Sequence, residues 1–369
     1  IGKNTLSDNT SGQQNVAIGS QALEENITGS NNTAVGHAAL ENGTAGSNNT
    51  GLGFASLFNT TASNNTAVGY NSLKENTTGT QNVAVGSAAL DANTTGVSST
   101  AVGYNALTNQ TTGQINTAVG HGSMQANTTG SYNVAMGRAS LDANTTGNYN
   151  TALGSFALTT NETGNYNVGV GYEVLEQNTT GGNNVAIGYN ALEENTTASS
   201  NTAVGTQALR KNTTGVGNTA VGANAGDANT TGTALTAIGV SALSANTTGD
   251  HNSAVGRECL LNNTTGENNT GMGVESLKSN TTASNNTAFG YFSLRANTTG
   301  TQNTAVGANA LTSITTGNYC TAIGYNGLRN NTASNNTACG YSALQDTTTG
   351  ANNTAVGYFA LVTNTTGDD

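Results

Sequence analysis

The chain has little of what most folded domains use to build a core or a chemical site. It contains no proline and no tryptophan, only 34% of its residues are hydrophobic and only 8% are charged. Low hydrophobicity is typical of disordered chains, but the strictly regular placement of Val and Leu along this chain argues against disorder. The nine Lys and Arg residues, in a chain of net charge −11, provide no basic stripe to replace phosphate counterions, so we expect no nucleic-acid binding. No apolar run is long enough for a membrane span.

What the chain does have is a glycine that recurs at intervals of 17 residues, with two intervals of 16 (Gly53 to Gly69 and Gly324 to Gly340). The repeated unit is Asn-Thr-Ala-Val-Gly-Tyr-Asn-Ala-Leu-x-x-Asn-Thr-Thr-Gly-x-Asn, whose positions we number one to seventeen. A short fixed period indicates a solenoid. We predict one repetitive domain, residues 1–369, of about 22 coils. No cap is recognisable, so we expect a fragment of a longer protein.

The residue types favour strands and turns over helices. Asn, Thr and Gly surround segments that are too short for stable helices. We therefore predict an all-β parallel β-solenoid with two short strands per coil, at positions one to four and roughly six to nine. Coils would stack about 4.8 Å apart. A glycine at position five would make the bend between the strands. Examples of these turn glycines are Gly36, Gly69, Gly103 and Gly120.

Alternation along a strand predicts which side chains lie inside. Position four is always bulky or apolar, and position nine is Leu in all coils but two. We expect positions two, four and nine to form the core. Position three, nearly always Ala or Gly, would then face outward as a ribbon of small residues, which predicts close contact between copies of the chain. A slim monomer with Ala in tight corners is the alternative. The representative core residues are Val35, Val68, Val102, Val119, Leu40, Leu73 and Leu107, and the interface residues are Ala34, Ala67, Ala101 and Ala118.

Asparagine recurs at positions one, twelve and seventeen. Stacked Asn side chains can form hydrogen bonds from one coil to the next, so we predict Asn ladders. The ladder at position one is represented by Asn32, Asn65, Asn116, Asn133 and Asn150. Many of the charged residues lie at the variable positions ten and eleven, which we expect to form a solvated edge.

The residues that could carry chemistry are scattered. Cys259, Cys320 and Cys339 occupy three different repeat positions, and no pair has metal-ligand spacing. We interpret them as small substitutes for Ala, Asn and Val. The acidic residues form no distinct pair of carboxylates such as a glycosidase uses for catalysis. They also form no column of Asp residues such as calcium-binding repeats contain. The sequence predicts no catalytic residue, no metal and no cofactor, and no enzymatic activity.

The core sequence Asn-Val-Ala-Ile-Gly (Asn15–Gly19 and Asn184–Gly188), followed by Ala-Leu, resembles the head repeats of YadA-type trimeric autotransporter adhesins. The Asn-Thr-Ala-Val-Gly-Tyr-Asn-Ala-Leu arrays also look like those of phage-type tail fibres and surface proteins that end in an endosialidase-type chaperone domain. The resemblance covers the whole chain and implies a left-handed, homotrimeric β-roll. The adhesin heads have shorter coils, and their neck, stalk and anchor have no counterpart here.

The function expected from these observations is that of a non-enzymatic fibre module, a rigid extracellular shaft or head at a cell surface or on a virion. Its partners would be further copies of itself, as a trimer or filament, and a cell-surface or glycan receptor. One alternative is an ice- or surface-binding solenoid that uses Thr and Asn ladders, although position two is expected to face inward. Another is a glycosylated extracellular filament, because Asn-Thr-Thr and Asn-Asn-Thr fit the acceptor pattern.

Overall fold

A short strand recurs in the coils of the computed structural model, which describes residues 2–368. The chain divides into two compact units, Ile1–Asn183 and Asn184–Asp369. The first unit contains β1 (Val16–Ile18), β2 (Thr33–Val35), β3 (Thr50–Leu52), β4 (Thr66–Val68), β5 (Val83–Val85), β6 (Thr100–Val102), β7 (Thr117–Val119), β8 (Val134–Met136), β9 (Thr151–Leu153) and β10 (Val168–Val170). The second contains β11 (Val185–Ile187), β12 (Thr202–Val204), β13 (Thr219–Val221), β14 (Thr236–Ile238), β15 (Ser253–Val255), β16 (Thr270–Met272), β17 (Thr287–Phe289), β18 (Thr304–Val306), β19 (Thr321–Ile323), β20 (Thr337–Cys339) and β21 (Thr354–Val356).

Within each unit, every strand pairs in parallel with the strand of the next coil, and like positions pair with like. Thr100 of β6 lies opposite Thr117 of β7, and Thr202 of β12 lies opposite Thr219 of β13. Each repeat position therefore forms a column of side chains along its unit. The predicted all-β parallel β-solenoid with a 17-residue repeat is confirmed, and the described residues contain no helix that could cross a membrane. That residues 1–369 form a single domain stays a prediction.

The second strand predicted for each coil is wrong, because positions six to nine form a turn. Asn71 and Leu73 have φ angles of 53° and 51°, in the left-handed region that a strand does not use. Backbone hydrogen bonds between coils continue nevertheless. The Leu73 amide donates to the Ala89 carbonyl at 3.0 Å, and the Glu75 amide donates to the Asp91 carbonyl at 2.9 Å. Coils therefore stay in register on this side without forming a second sheet.

A leucine in the left-handed region needs a physical reason. That conformation costs a residue with a Cβ about 1–2 kcal/mol. Full burial of a leucine side chain contributes about 1.5–3 kcal/mol. Leu73 and its equivalents at position nine from Leu23 to Leu344 are buried in the middle of the coil. Burial therefore outweighs the backbone strain, and the apolar interior selects leucine where backbone preference alone would select Gly or Asn.

The predicted inward and outward faces of the strand are reversed. Ala101 has no exposed surface, whereas its neighbour Val102 is 36% exposed. The interior beside position three is already filled: a Cβ added to Gly169 would lie 3.0 Å from Val174 Cγ2 and 3.4 Å from Leu158 Cδ1. Only a methyl group fits there, so the larger side chains of positions two and four point outward. The residues predicted as core but found on the outside are Val35, Val68, Val102 and Val119, and those predicted as an exposed interface but found inside are Ala34, Ala67, Ala101 and Ala118. Leu40, Leu73 and Leu107 are buried.

This reversal can be tested by placing a valine on either side of one strand. Ala101→Val should lower the free energy of unfolding by about 1–3 kcal/mol, because the interior has no room for the two added methyl groups. Thr100→Val, one residue earlier and on the outside, should change it by less than about 0.5 kcal/mol. Urea denaturation followed by circular dichroism measures both. Equal effects of the two variants would contradict the assignment of the faces.

The turn glycines follow the strands directly. Gly36, Gly69, Gly103 and Gly120 have φ angles of 138°, 139°, 142° and 133°. Residues with a side chain rarely adopt such angles. The chain therefore leaves the sheet at the glycine, and the same column also allows the backbones of adjacent coils to approach closely.

Candidate functional surfaces

The predicted Asn ladders at positions one and twelve are present and lie inside the coils, whereas position seventeen asparagines such as Asn31 and Asn64 are exposed. Asn133, at position one, donates through Nδ2 to the Gly147 carbonyl at 2.9 Å, and its Oδ1 accepts from the Asn150 amide at 2.9 Å. At position twelve the ladder runs from amide to amide, with Asn93 Nδ2 donating to Asn76 Oδ1 at 2.8 Å. Representatives of the first ladder (Asn32, Asn65, Asn116, Asn133 and Asn150) are all buried. These side chains hold coils together and are not available to a ligand.

The outer sheet face consists of the position two and position four side chains of the strands in each unit. Position two is Thr, Val or Ser in every strand, and position four is aliphatic except for one Phe and one Cys. No charged residue occurs in either column. Ile18, Met136 and Met272 are each exposed over almost half of their surface. Each unit therefore presents an uncharged face with one apolar column and one column rich in threonine.

Aromatic side chains stack where the repeat brings them into one column. Tyr132 and Tyr149 at position seventeen have ring centroids 4.9 Å apart, and Tyr149 and Tyr166 have centroids 5.0 Å apart with planes inclined by 1°. Such pairs contribute about 0.5–1.5 kcal/mol each beyond the burial of their surface. Because neighbouring rings cover each other's faces, this column stabilises the outside of the coils and leaves mainly ring edges to solvent.

A chain of ion pairs connects side chains at positions six, seven and ten, in the turns of the second unit. Arg257 contacts Glu258 at 2.7 Å, and Lys278 Nζ lies 2.7 Å from Glu258 and 3.4 Å from Glu275. Arg295 Nε closes the chain, 2.7 Å from Glu275 Oε2. Burial of Glu275 opposes ionisation, but Arg295 and Lys278 together lower the pKa of that carboxyl below its usual value. The hydrogen bond to Glu258 raises the pKa of Lys278. Both shifts favour the charged forms of Glu275 and Lys278.

A shallow cavity of about 450 Å³ lies beside the last cation of this chain, Arg295. The Arg295 guanidinium carbon lies 4.5 Å from the centre of the Phe292 ring, so an aromatic face and a carboxylate both fix its orientation. The cavity is lined by Lys278, Ser279, Arg295, Ala296, Thr312 and Ser313. Its wall therefore combines two cations with three hydroxyl groups.

The three cysteines differ in accessibility. Cys259 and Cys320 are buried, and Cys339 is exposed at position four of β20. Burial raises the pKa of Cys259 to about 12 and also raises the pKa of Cys320. Since the thiolate is the reactive form, Cys339 is the cysteine that a reagent can reach.

A comparison with protein-family models and with curated proteins gives no match. Assignment of a function therefore depends on the surfaces themselves. Of these, sequence reasoning found the Asn ladders, misplaced the outer sheet face and missed the cavity. A signal for the cavity exists in the sequence: residues 276–345 contain no Asp or Glu, but they include Lys278, Arg295 and Arg329, all at position ten.

Proposed function

We propose that the protein is a non-enzymatic structural module of an extracellular fibre, located at a cell surface or on a virion. The observation that carries this proposal is the outer sheet face, which has an apolar column without charge whose side chains are exposed or half-buried in the described strands. Continuous exposed apolar surface on a soluble protein is typical of an interaction site. We propose that copies of the chain cover this face for one another.

Charge supports a second copy as the occupant. Chains of net charge −11 repel one another over most of their surface. The outer sheet face carries no charge, so contact there avoids both repulsion and the desolvation of ionised groups. Because the columns repeat from coil to coil, one contact geometry can be repeated along each unit. The resemblance to adhesin and tail-fibre repeats leads us to propose a homotrimer of left-handed solenoids, with β-branched and aliphatic side chains at its centre in place of the Ala ribbon.

The oligomeric state can be measured without changing the chain. Light scattering coupled to size exclusion should give a mass near three times 36.8 kDa. A mass equal to that of one chain would contradict the proposal. It would leave the outer sheet face free and favour the surface-binding alternative.

Cys339 reports on the same interface. If the trimer is formed in register through the outer sheet face, the Cys339 residues of three copies approach one another at one level. Mild oxidation should then produce a covalent dimer plus one unlinked chain per trimer, on a non-reducing gel. Cys339→Val, which restores the commonest residue of the column, should abolish the dimer. A trimeric mass without this cross-link would place the interface on another face.

Ice binding is a second candidate, favoured by one observation. The threonines of position two point outward on the same strand face as position four, as in Thr202, Thr219 and Thr236 of β12–β14. The expectation that they face inward, which argued against ice binding, is therefore wrong. Thermal hysteresis of the monomeric chain would support this candidate, and its absence would remove it.

Glycosylation, the third candidate, is restricted by burial. The position twelve asparagines of the Asn-Thr-Thr motif, such as Asn76 and Asn93, have no exposed surface. The position seventeen asparagines of Asn-Asn-Thr, such as Asn31 and Asn64, are exposed acceptors in the folded chain. Peptide mapping by mass spectrometry should therefore show no glycan on Asn76 or Asn93.

A further inference from the structure

The cavity beside Arg295 lies near the start of a long stretch of sequence that contains no acidic residue. Residues 276–345 contain three cations and no acidic residue, within a chain of net charge −11. Lys278, Arg295 and Arg329 all occupy position ten, and the Ser313 amide donates to the Arg329 carbonyl at 3.0 Å, which places Arg329 one coil beyond Thr312. Earlier in the chain the same column carries acids, including Glu24, as well as cations. A local positive potential therefore lies on this edge of the second unit.

Arg295 is oriented for a ligand. Its Nε atom is engaged by Glu275 and its plane lies over Phe292. Within residues 2–368, its two Nη atoms form no ion pair. A guanidinium held in this way can donate two parallel hydrogen bonds to a carboxylate, sulfate or phosphate, and it loses little side-chain entropy when it does so.

The ion-pair chain also leaves one charge over. It alternates from Arg257 through Glu258, Lys278 and Glu275, and it ends on Arg295 at the rim of the cavity. The five groups therefore carry one net positive charge. An anion bound in the cavity would offset this charge.

We propose that this cavity binds the acidic group of an anionic polysaccharide, a carboxylate or sulfate carried on a pyranose ring. Ser279 and Ser313 have hydroxyl groups with no hydrogen bond in the described chain, and they suit the hydroxyls of a sugar. Tyr291, which packs against Phe292 at a centroid distance of 3.7 Å, is half exposed and adds an aromatic surface nearby. The few cations suit isolated acidic groups better than the dense phosphates of a nucleic acid. This site goes beyond the proposed fibre function, because all of its residues belong to one chain.

The test uses the full chain and titration calorimetry with four probes: tetragalacturonate, a sulfated tetrasaccharide, a neutral tetrasaccharide and an oligonucleotide of matched charge. Binding of either acidic saccharide, with no binding of the neutral one, is expected, and the stronger of the two identifies the acidic group. Affinity should fall as salt is raised. Equal binding of the neutral probe, or tighter binding of the oligonucleotide, would overturn the proposal.

Arg295→Gln should weaken the acidic saccharide about ten-fold or more, because it removes a charge-assisted pair of hydrogen bonds. Arg295→Lys should recover only part of the affinity, since the charge returns without the planar fork. The matched control is Arg210→Gln. Arg210 also occupies position ten in the second unit, but Glu194 and Asp227 both engage it at 3.2 Å. Circular dichroism establishes that each variant is folded. Equal losses for Arg210→Gln and Arg295→Gln would show a general charge effect and reject the site. The result does not depend on oligomeric mass, so it can fail while the fibre proposal stands.

Discussion

Gly222→Ala should lower the stability of the second unit by roughly 2–6 kcal/mol, combining a strained φ with overpacking. Gly222 has a φ of 136°. A Cβ added there would lie 2.6 Å from the Gly239 carbonyl oxygen and 2.7 Å from its carbon. Both are backbone atoms of the next coil. The Gly239 amide donates to the Val221 carbonyl at 2.8 Å, so the next coil cannot move away without breaking the sheet.

Urea denaturation measures the overall effect, and hydrogen exchange locates it. Because each coil of a solenoid contacts mainly its neighbours, amide protection should fall first in the coils around Gly222. Gly217→Asn is the matched control. Gly217 also has a positive φ, of 70°, but no atom lies within 4 Å of the added Cβ. Asn tolerates this conformation, and stability should change by less than about 0.5 kcal/mol. If Gly222→Ala proved as mild as its control, the close approach of coils at the glycine column would be wrong.

Asn32→Asp should cost roughly 3–5 kcal/mol at neutral pH, because it leaves a buried charge without a partner. Asn32 is 1% exposed, and its Nδ2 donates to the Gly46 carbonyl at 2.7 Å. A carboxylate cannot donate there and would face the carbonyl oxygen. The other oxygen could still accept from the Asn49 amide, as Oδ1 does now at 2.9 Å. The loss therefore arises from one lost donor and one desolvated charge.

This penalty should depend on pH in a known direction. The buried site disfavours the charged carboxylate, so the pKa of the new carboxyl is raised in the folded state above its unfolded value of about 3.9. The variant should then be nearly as stable as the parent below about pH 4, where the neutral carboxyl can donate, and it should lose stability as pH rises towards the folded pKa.

The control for this substitution is the adjacent residue. Asn31→Asp changes an exposed side chain at position seventeen, and it should alter stability by less than about 0.5 kcal/mol at any pH. Denaturation midpoints of both variants between about pH 3 and pH 7 decide the matter, since this range spans both carboxyl states. A constant penalty for Asn32→Asp over that range would contradict the buried ladder.

The sequence by itself determined the architecture. Gly at position five and Leu at position nine recur at a nearly constant period along the chain. Coils that stack in register account for this pattern, because each residue then contacts the same residue type in the next coil. The Asn ladders followed from the same logic, since a buried amide requires a donor and an acceptor in the neighbouring coil. Within this architecture, the predicted number of strands per coil and the predicted inner face of the strand were wrong. Asn71 and Leu73 show why the number of strands was wrong. Positions seven and nine adopt left-handed conformations, but their residue types suit a strand as well as a turn.

The tertiary structure alone decided which strand face lies inside and where a ligand could bind. The alternation of side chains along a strand divides them between two faces. It does not show which face lies inside when neither face is charged, as with Ala101 between Thr100 and Val102. The inner face is determined by the volume that the buried leucine and asparagine side chains leave inside the coil, and that volume admits only a methyl group. Likewise, the sequence places Lys278 and Arg295 in one column, but only the structure shows that Glu275 and Phe292 orient Arg295 while its Nη atoms form no ion pair among the described residues. Those contacts depend on side-chain directions, which a repeat period does not contain.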